Sequence, residues 1–225
     1  MRRWSYVDQE NDHGTGAELY GKGLIMLGMK PPDMPMKRTA VLTEKFDRAL
    51  AYASALHRTQ VKKGTTIPYV AHLLAVASLV LDHGGDEDQG IAGLLHDAVE
   101  DQGGEPTLRD IREKFGDRVG DIVVDCTDAW VQPKPPWRER KEAYLAALPK
   151  KASASLLVSL ADKVHNSRAI AADYRTYGEA IWTRFNGGRE GTIWYYRRLG
   201  EIFRDVYPGP LQDDLDRAVD SFPKA

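Results

Sequence analysis

Cysteine is nearly missing from this chain, and long apolar runs, a dominant charge sign and strand-like alternation are missing altogether. The single cysteine, Cys126, excludes an intramolecular disulfide and any metal site built from several thiolates. Within IVVDCTDAW it reads as a small core residue. No apolar segment approaches the roughly 20 residues that span a bilayer, and the first residues carry no signal-peptide pattern. A cytoplasmic protein with no membrane partner is therefore expected. The formal net charge is -2, so bulk electrostatics give no attraction to nucleic acid, and no such partner is expected. Without polar–apolar alternation over several residues, nothing points to a sheet.

What is there is helical. The 225 residues, 42% hydrophobic and 28% charged, have room for one domain with an appendage. Residues 1–37 read as a poorly ordered or extended appendage: WSYVDQENDHGTG is polar, MKPPDMPMK is broken by three prolines, and at most one short helix fits at 17–27. His13 reads as a loop residue, and a translation start at Met36 would remove nothing assigned to a site. Residues 38–225 read as one all-α domain, a compact bundle of eight to ten helices, with 178–225 a C-terminal helical extension on the same core.

From Thr43 onward apolar residues recur at three- and four-residue spacing (Phe46, Leu50, Ala53, Leu56), which predicts a first helix. It ends in the basic turn QVKKGTTIPYV, where Pro68 is placed to open a second helix over 69–83, with His72, Leu73, Val76 and Val80 along one stripe. His83 reads as a helix C-terminal residue. GGDED separates this from a third helix carrying IAGLLHDAVED. Thr107 is expected to cap the next helix, LRDIREKFG. An apolar helix over 119–129, the proline-rich loop VQPKPPW, a helix RERKEAYLAAL and a long helix over 154–174 follow. Further helices are predicted at 179–185, 192–206 and 211–221, and the chain shows no internal repeat.

The chemistry concentrates in residues 91–101. The segment starts apolar and then places His96, Asp97, Glu100 and Asp101 within six residues. On a helix, positions four apart share a face, so His96 lies over Glu100 and Asp97 over Asp101. A helix this apolar enters the core and carries its charges with it, and such charges are expensive unless paired or bound to a metal. Four positions on three predicted helices can form one metal site: His72, His96, Asp97 and Asp162. Two imidazoles and two carboxylates suit a first-row divalent ion such as Mn²⁺, Fe²⁺, Zn²⁺ or Co²⁺. Glu100 and Asp101, one turn further on, are close enough to orient or deprotonate a water.

Read in order, PYVAH, LLHDAVED and LADKVHN resemble the HD-domain phosphohydrolases, in particular the hydrolase domain of the RelA/SpoT enzymes and the small alarmone hydrolases. The likeness runs from about Phe46 to Arg168. It includes His57 and Gln60 before the basic turn, Pro68, Tyr69 and His72, the run His96, Asp97, Glu100 and Asp101, Phe115 and Gly116, Arg140 and Lys141, and finally Asp162, Lys163, His165 and Asn166. The resemblance implies Mn²⁺ held by His72, His96, Asp97 and Asp162, water activation by Glu100 and Asp101, and a ribose contact from Asn166. It implies substrate contacts from Lys62 and Lys63. Arg140, Lys141 and Lys163 join them as candidates, because a phosphate-rich substrate needs cations near the metal.

The reaction so implied removes the 3′-pyrophosphate of ppGpp or pppGpp, leaving GDP or GTP, by a monomer or homodimer. Another nucleotide (ppApp, NADPH or a 5′-nucleotide) is the alternative substrate, and a nucleotide sensor without turnover is the alternative from another class. The presence of all six metal and acid positions argues against the sensor. Two departures stand out: the turn between Gln60 and Pro68 is one residue longer than in the family, and Lys62 stands where Arg is usual. Lysine is not equivalent to arginine for stacking or bidentate phosphate contact. The C-terminal WTRFNGG and TIWYYRRL lie outside the likeness; Trp194, Tyr195 and Tyr196 read as packing aromatics, and His57 and His165 as structural.

Overall fold

A computed structural model of the protein describes residues 41–128 and 133–224; the appendage, with its expected helix at 17–27, lies outside them. The described chain is built from α1 (Glu44–Leu56), α2 (Val70–Asp82), α3 (Glu87–Leu95), α4 (Ala98–Asp101), α5 (Glu105–Phe115), α6 (Asp117–Cys126), α7 (Trp137–Ala147), α8 (Ser153–Tyr177), α9 (Gly188–Val206) and α10 (Pro210–Asp220). Short 3-10 turns occupy Leu148–Lys150 and Gly178–Arg184. Among the described residues the β pairing is an isolated bridge between Val61 and Pro68, which closes the turn between α1 and α2. The all-α expectation holds.

The core forms around α8. Leu156, Leu157, Val158, Leu160, Ala161 and Val164 are buried on successive faces of its first half, as befits a helix apolar all round. It packs against α2, α3, α6 and α10, and it carries Asp162 into the interior. From the C-terminal part, Leu199 and Phe203 of α9 and Leu211 and Leu215 of α10 are buried in the same cluster. Helix α3 starts on a capping box, in which Asp86 accepts from the Gln89 backbone N–H and Gln89 returns the bond to the Asp86 N–H. His83 ends α2 with Nδ1 2.9 Å from the Leu79 carbonyl.

Close approach of α2 and α3 depends on Gly93. A Cβ there would sit 3.1 Å from the Cα of Ala77 and 3.3 Å from its nitrogen. The absent side chain lets two helix backbones touch, and this contact brings His72 of α2 within reach of His96.

The structure differs from the sequence reading in four places. The segment IAGLLHDAVED is two helices, α3 and α4, interrupted at His96 and Asp97. The His96 imidazole Nδ1 bonds the Gly93 carbonyl at 2.9 Å, so the side chain competes for a backbone acceptor where the helix stops. Thr107 does not cap α5, which begins two residues earlier at Glu105, after Gly104 and with Pro106 in its first turn; the Thr107 hydroxyl donates instead to the Gln102 carbonyl at 2.7 Å. Helix α6 ends at Cys126, where the Thr127 backbone and hydroxyl bond the Val123 carbonyl, and the expected end at 129 lies outside the described residues. The predicted helix at 179–185 is the 3-10 turn.

Gly93→Val is expected to destabilise the fold by about 1–3 kcal/mol, the usual range for overpacking. It should also lower metal affinity by spreading His72 from His96. Urea denaturation and equilibrium dialysis against Mn²⁺ measure the two effects, and wild-type values in both would mean the close approach is not needed.

Candidate active site

Three buried groups from three helices converge. His72 (α2), His96 (end of α3) and Asp162 (α8) each offer a ligand atom, all within 4.8 Å of one another. The two imidazole Nε2 atoms are 3.2 Å apart. Asp162 Oδ1 lies 3.3 Å from His72 Nε2 and 3.6 Å from His96 Nε2. Asp97 Oδ2 approaches the same nitrogens at 3.5 and 3.0 Å. The interruption after Leu95 turns His96 and Asp97 toward one point, which an unbroken helix would place about 100° apart.

Each group is held from behind. His96 Nδ1 donates to the Gly93 carbonyl, so Nε2 is the nitrogen that faces the cluster and the one that a metal would meet once the ring gives up its second proton. His72 Nδ1 lies 2.7 Å from Nδ1 of His165. Burial, then the charge of His72, pushes the His165 pKa down to about 4, which keeps that ring neutral and able to accept. Tyr69 donates its hydroxyl to Asp97 Oδ2 at 2.5 Å, and Asn166 donates its amide to Asp162 Oδ1 at 2.5 Å. Lys163 is bonded to the other oxygen of Asp162. Outer contacts of this kind orient metal ligands and tune their basicity.

Charge is strongly coupled here. Burial would drive both imidazoles toward the neutral form, but Asp162 and Asp97 hold His72 above its usual range and His96 well above it. Burial likewise opposes the charged carboxylates, yet His96 keeps Asp97, and Lys163 keeps Asp162, well below the carboxylate range. The cluster draws positive charge into itself, and its donor set of imidazole nitrogen and carboxylate oxygen is that of a divalent metal. His72, His96 and Asp162 can hold such an ion.

A chamber of about 220 Å³ opens over the cluster and is lined by Asp97, Glu100, Asp101, Asp162, Lys163 and Asn166 among others. Glu100 accepts from Lys134 at 2.7 Å; burial, then Asp128, raises its pKa. Asp101 accepts from Gln60 at 2.8 Å, and burial, then Asp97, raises its pKa too. Gln60 is steadied by His57 Nδ1 at 2.7 Å and by the Gln102 amide at 2.6 Å. Two carboxylates with raised pKa beside a metal-type cluster are suited to moving protons.

Two more cavities share walls with this chamber. One of about 270 Å³ is lined by Lys63, Arg140, Lys141, Lys163 and Arg184, with Glu100 its acidic member. The other, of about 280 Å³, runs past Lys62, Lys63, Tyr69, His72, Asn166 and Arg184. The sequence-predicted site residues other than the buried His96 therefore border one branched cleft. Arg140 and Lys141 reach it already paired: both bond the buried Asp128, at 2.7 and 2.6 Å. Lys63 donates to Asn186 at 3.0 Å. His57 and His165 brace other side chains, in line with their structural reading.

Sequence reasoning gave no role to Gly93, Gln102, Lys134, Arg184 or Asn186. Lys134 sits in a proline-rich loop 34 positions from Glu100, and no local pattern announces a pairing that distant. Gln60 was visible in its HRTQ setting, but not its target.

A family model described as an HD domain matches residues 49–193. That span reaches beyond the likeness ending near Arg168 and takes in the first turns of α9. The chain is 37% identical over 123 residues to the guanosine-3′,5′-bis(diphosphate) 3′-pyrophosphohydrolase MESH1 of Xenopus tropicalis, covering 53% of this chain and 66% of that protein. It is 34% identical over 125 residues to a probable GTP pyrophosphokinase of Mycobacterium leprae, where the match covers 55% of this chain but spans only 15% of that protein. A solved structure described as a metazoan ortholog of SpoT that hydrolyzes ppGpp superposes with a TM-score of 0.65 at 26% identity, covering 80% of this chain and 97% of that one. A family match over more than half of the sequence, on a helical bundle with this buried His–Asp cluster, makes the chain a member of the HD-domain family, on its RelA/SpoT-like branch.

Proposed function

We propose that the protein is a metal-dependent (p)ppGpp 3′-pyrophosphohydrolase, releasing pyrophosphate and GDP or GTP. The carrying observation is the buried His72–His96–Asp162 cluster at the base of a cleft whose adjoining arm is walled by cations. The name and activity of the MESH1 relatives support the same reading. Asp97 joins the cluster as the fourth ligand, its oxygen lying within 3.5 Å of both imidazoles. Mn²⁺ is the proposed ion, with Fe²⁺, Zn²⁺ and Co²⁺ compatible with the same donors.

A divalent ion at this position supplies Lewis-acid polarisation of the 3′-phosphoryl group and a water of lowered pKa. The protein does the rest. Asp101, held by Gln60, and Glu100, held by Lys134, take up the proton of the attacking water as its oxygen bonds the phosphorus next to the ribose. The bond from that phosphorus to the ribose 3′ oxygen breaks, and the oxygen regains a proton. Asn166, bonded to Asp162 and lining all three cavities, is placed beside the ribose. Lys163 and Lys141 stand beside the reacting phosphate, where negative charge develops. Lys62 and Lys63 border the arm past His72, which suits the nucleoside.

Purified protein with Mn²⁺ is expected to convert ppGpp into GDP and pyrophosphate, with products resolved by ion exchange, and Asp97→Ala should abolish turnover. Cleavage of ppApp, NADPH or a deoxynucleotide with ppGpp untouched would keep the metal chemistry and overturn the substrate. Glu100→Gln and Asp101→Asn should each lower kcat by about 10²–10⁴-fold, with metal content by mass spectrometry unchanged. His165→Ala is expected to weaken metal binding by about 10–100-fold, since it removes the partner that orients His72; competition with a chelating dye reads this directly.

A further inference from the structure

Tyr195, on the inner face of α9, is 5% exposed, and its hydroxyl finds no hydrogen-bond partner among the described residues. A buried donor left unmatched carries a desolvation cost that the fold does not recover. The residue lines both the chamber over the metal-type cluster and the basic arm beside it, so its ring forms part of the wall that the two share.

Its surroundings define what it would bind. The basic arm carries five cationic side chains, Lys63, Arg140, Lys141, Lys163 and Arg184, against the single acid Glu100. The Lys141 ammonium lies 5.0 Å from the centre of the Tyr195 ring. Lys141 and Lys163 are each shared with a carboxylate, Asp128 and Asp162, whereas the Tyr195 hydroxyl is committed to nothing. The ring is fixed by edge-on contacts with Trp137 at 6.3 Å and Tyr196 at 5.6 Å. Trp137 is itself seated where Gly187 and Gly191 leave no room for a Cβ. An O–H donor held rigidly among ammonium and guanidinium groups is preorganised for an anionic phosphoryl oxygen.

We propose that Tyr195 is a substrate-binding residue whose hydroxyl donates to a phosphoryl oxygen of a diphosphate group held in the basic arm. The proposal rests on the phosphohydrolase reading given above. Two diphosphates share this chemistry: the pyrophosphate released from the 3′ position and the diphosphate that stays at the 5′ position.

Tyr195→Phe removes the hydroxyl alone and keeps the ring. Thermal unfolding of the variant should match or exceed wild type, because no intramolecular bond is lost. Calorimetric titration of the metal-loaded protein with inorganic pyrophosphate and with GDP, metal in excess over either, should show about a tenfold to hundredfold weaker binding of one of them, as expected for a lost hydrogen bond to a charged group. Weaker pyrophosphate binding assigns the arm to the 3′ group, and weaker GDP binding assigns it to the 5′ group. Unchanged affinity for both products overturns the proposal, as does a melting temperature several degrees lower, which would make the hydroxyl structural. Binding does not require turnover, so the two readings fail separately. A wild type that cleaves ppGpp while Tyr195→Phe binds both products normally sinks only the Tyr195 assignment. A wild type inert to ppGpp whose pyrophosphate binding still depends on Tyr195 sinks only the substrate.

Discussion

The rest of the structure answers to one constraint: ionisable groups have been carried into an apolar bundle and must be neutralised there. His72, His96 and Asp162 lie among Leu73, Leu95, Leu160 and Val164, where an isolated charge is strongly disfavoured. The arrangement meets the cost by mutual pairing and by a shell of neighbours, each holding one atom. The Gly93 carbonyl accepts a hydrogen bond from His96, His165 faces His72, Tyr69 donates to Asp97, and Asn166 and Lys163 donate to Asp162. What remains facing inward is a set of lone pairs and carboxylate oxygens around one point, and a divalent cation satisfies them together.

A second buried charge organises the neighbouring wall. Asp128, at the end of the α6 segment, bonds both Arg140 and Lys141 of α7. That acid holds two cations of α7 against the cleft, while burial and Lys163 keep the Lys141 pKa lowered. The opposite side is closed by the turn after α1, where Lys63 meets Asn186 and the Arg184 side chain lies across Gly64. Gly64 has φ +73°, a conformation that glycine adopts freely, and a Cβ there would strike the arginine. The cleft is thus basic on two walls and acidic at its base, the polarity that a metal and a phosphate chain require together.

Helix packing sets the distances. Gly93 against Ala77 brings α2 and α3 together, and α8 crosses beneath both, so three residues separated by up to 90 positions supply atoms within 4.8 Å. The break between α3 and α4 then swings Asp97 beside His96. The Gly93–Ala77 approach, a contact between backbones that involves no charged residue, helps decide whether the side chains converge.

The sequence alone was enough for the all-α architecture, because apolar residues recur at helical spacing and strand alternation is absent. It also singled out His72, His96 and Asp162, which the fold brings together: a His-Asp pair at the end of an apolar run is too costly to bury without partners, and His72 and Asp162 stood in similar settings. It misplaced what depends on competition for one hydrogen bond. The helix break at His96, the start of α5 before Thr107 and the 3-10 turn at Gly178–Arg184 were each decided by a side chain, a proline or a cap that periodicity does not register. Long-range partners were out of reach for a different reason. Lys134 on Glu100, Gln60 on Asp101 and the unmatched hydroxyl of Tyr195 arise only once helices distant in sequence are packed, since pairing and isolation are properties of space and not of order along the chain.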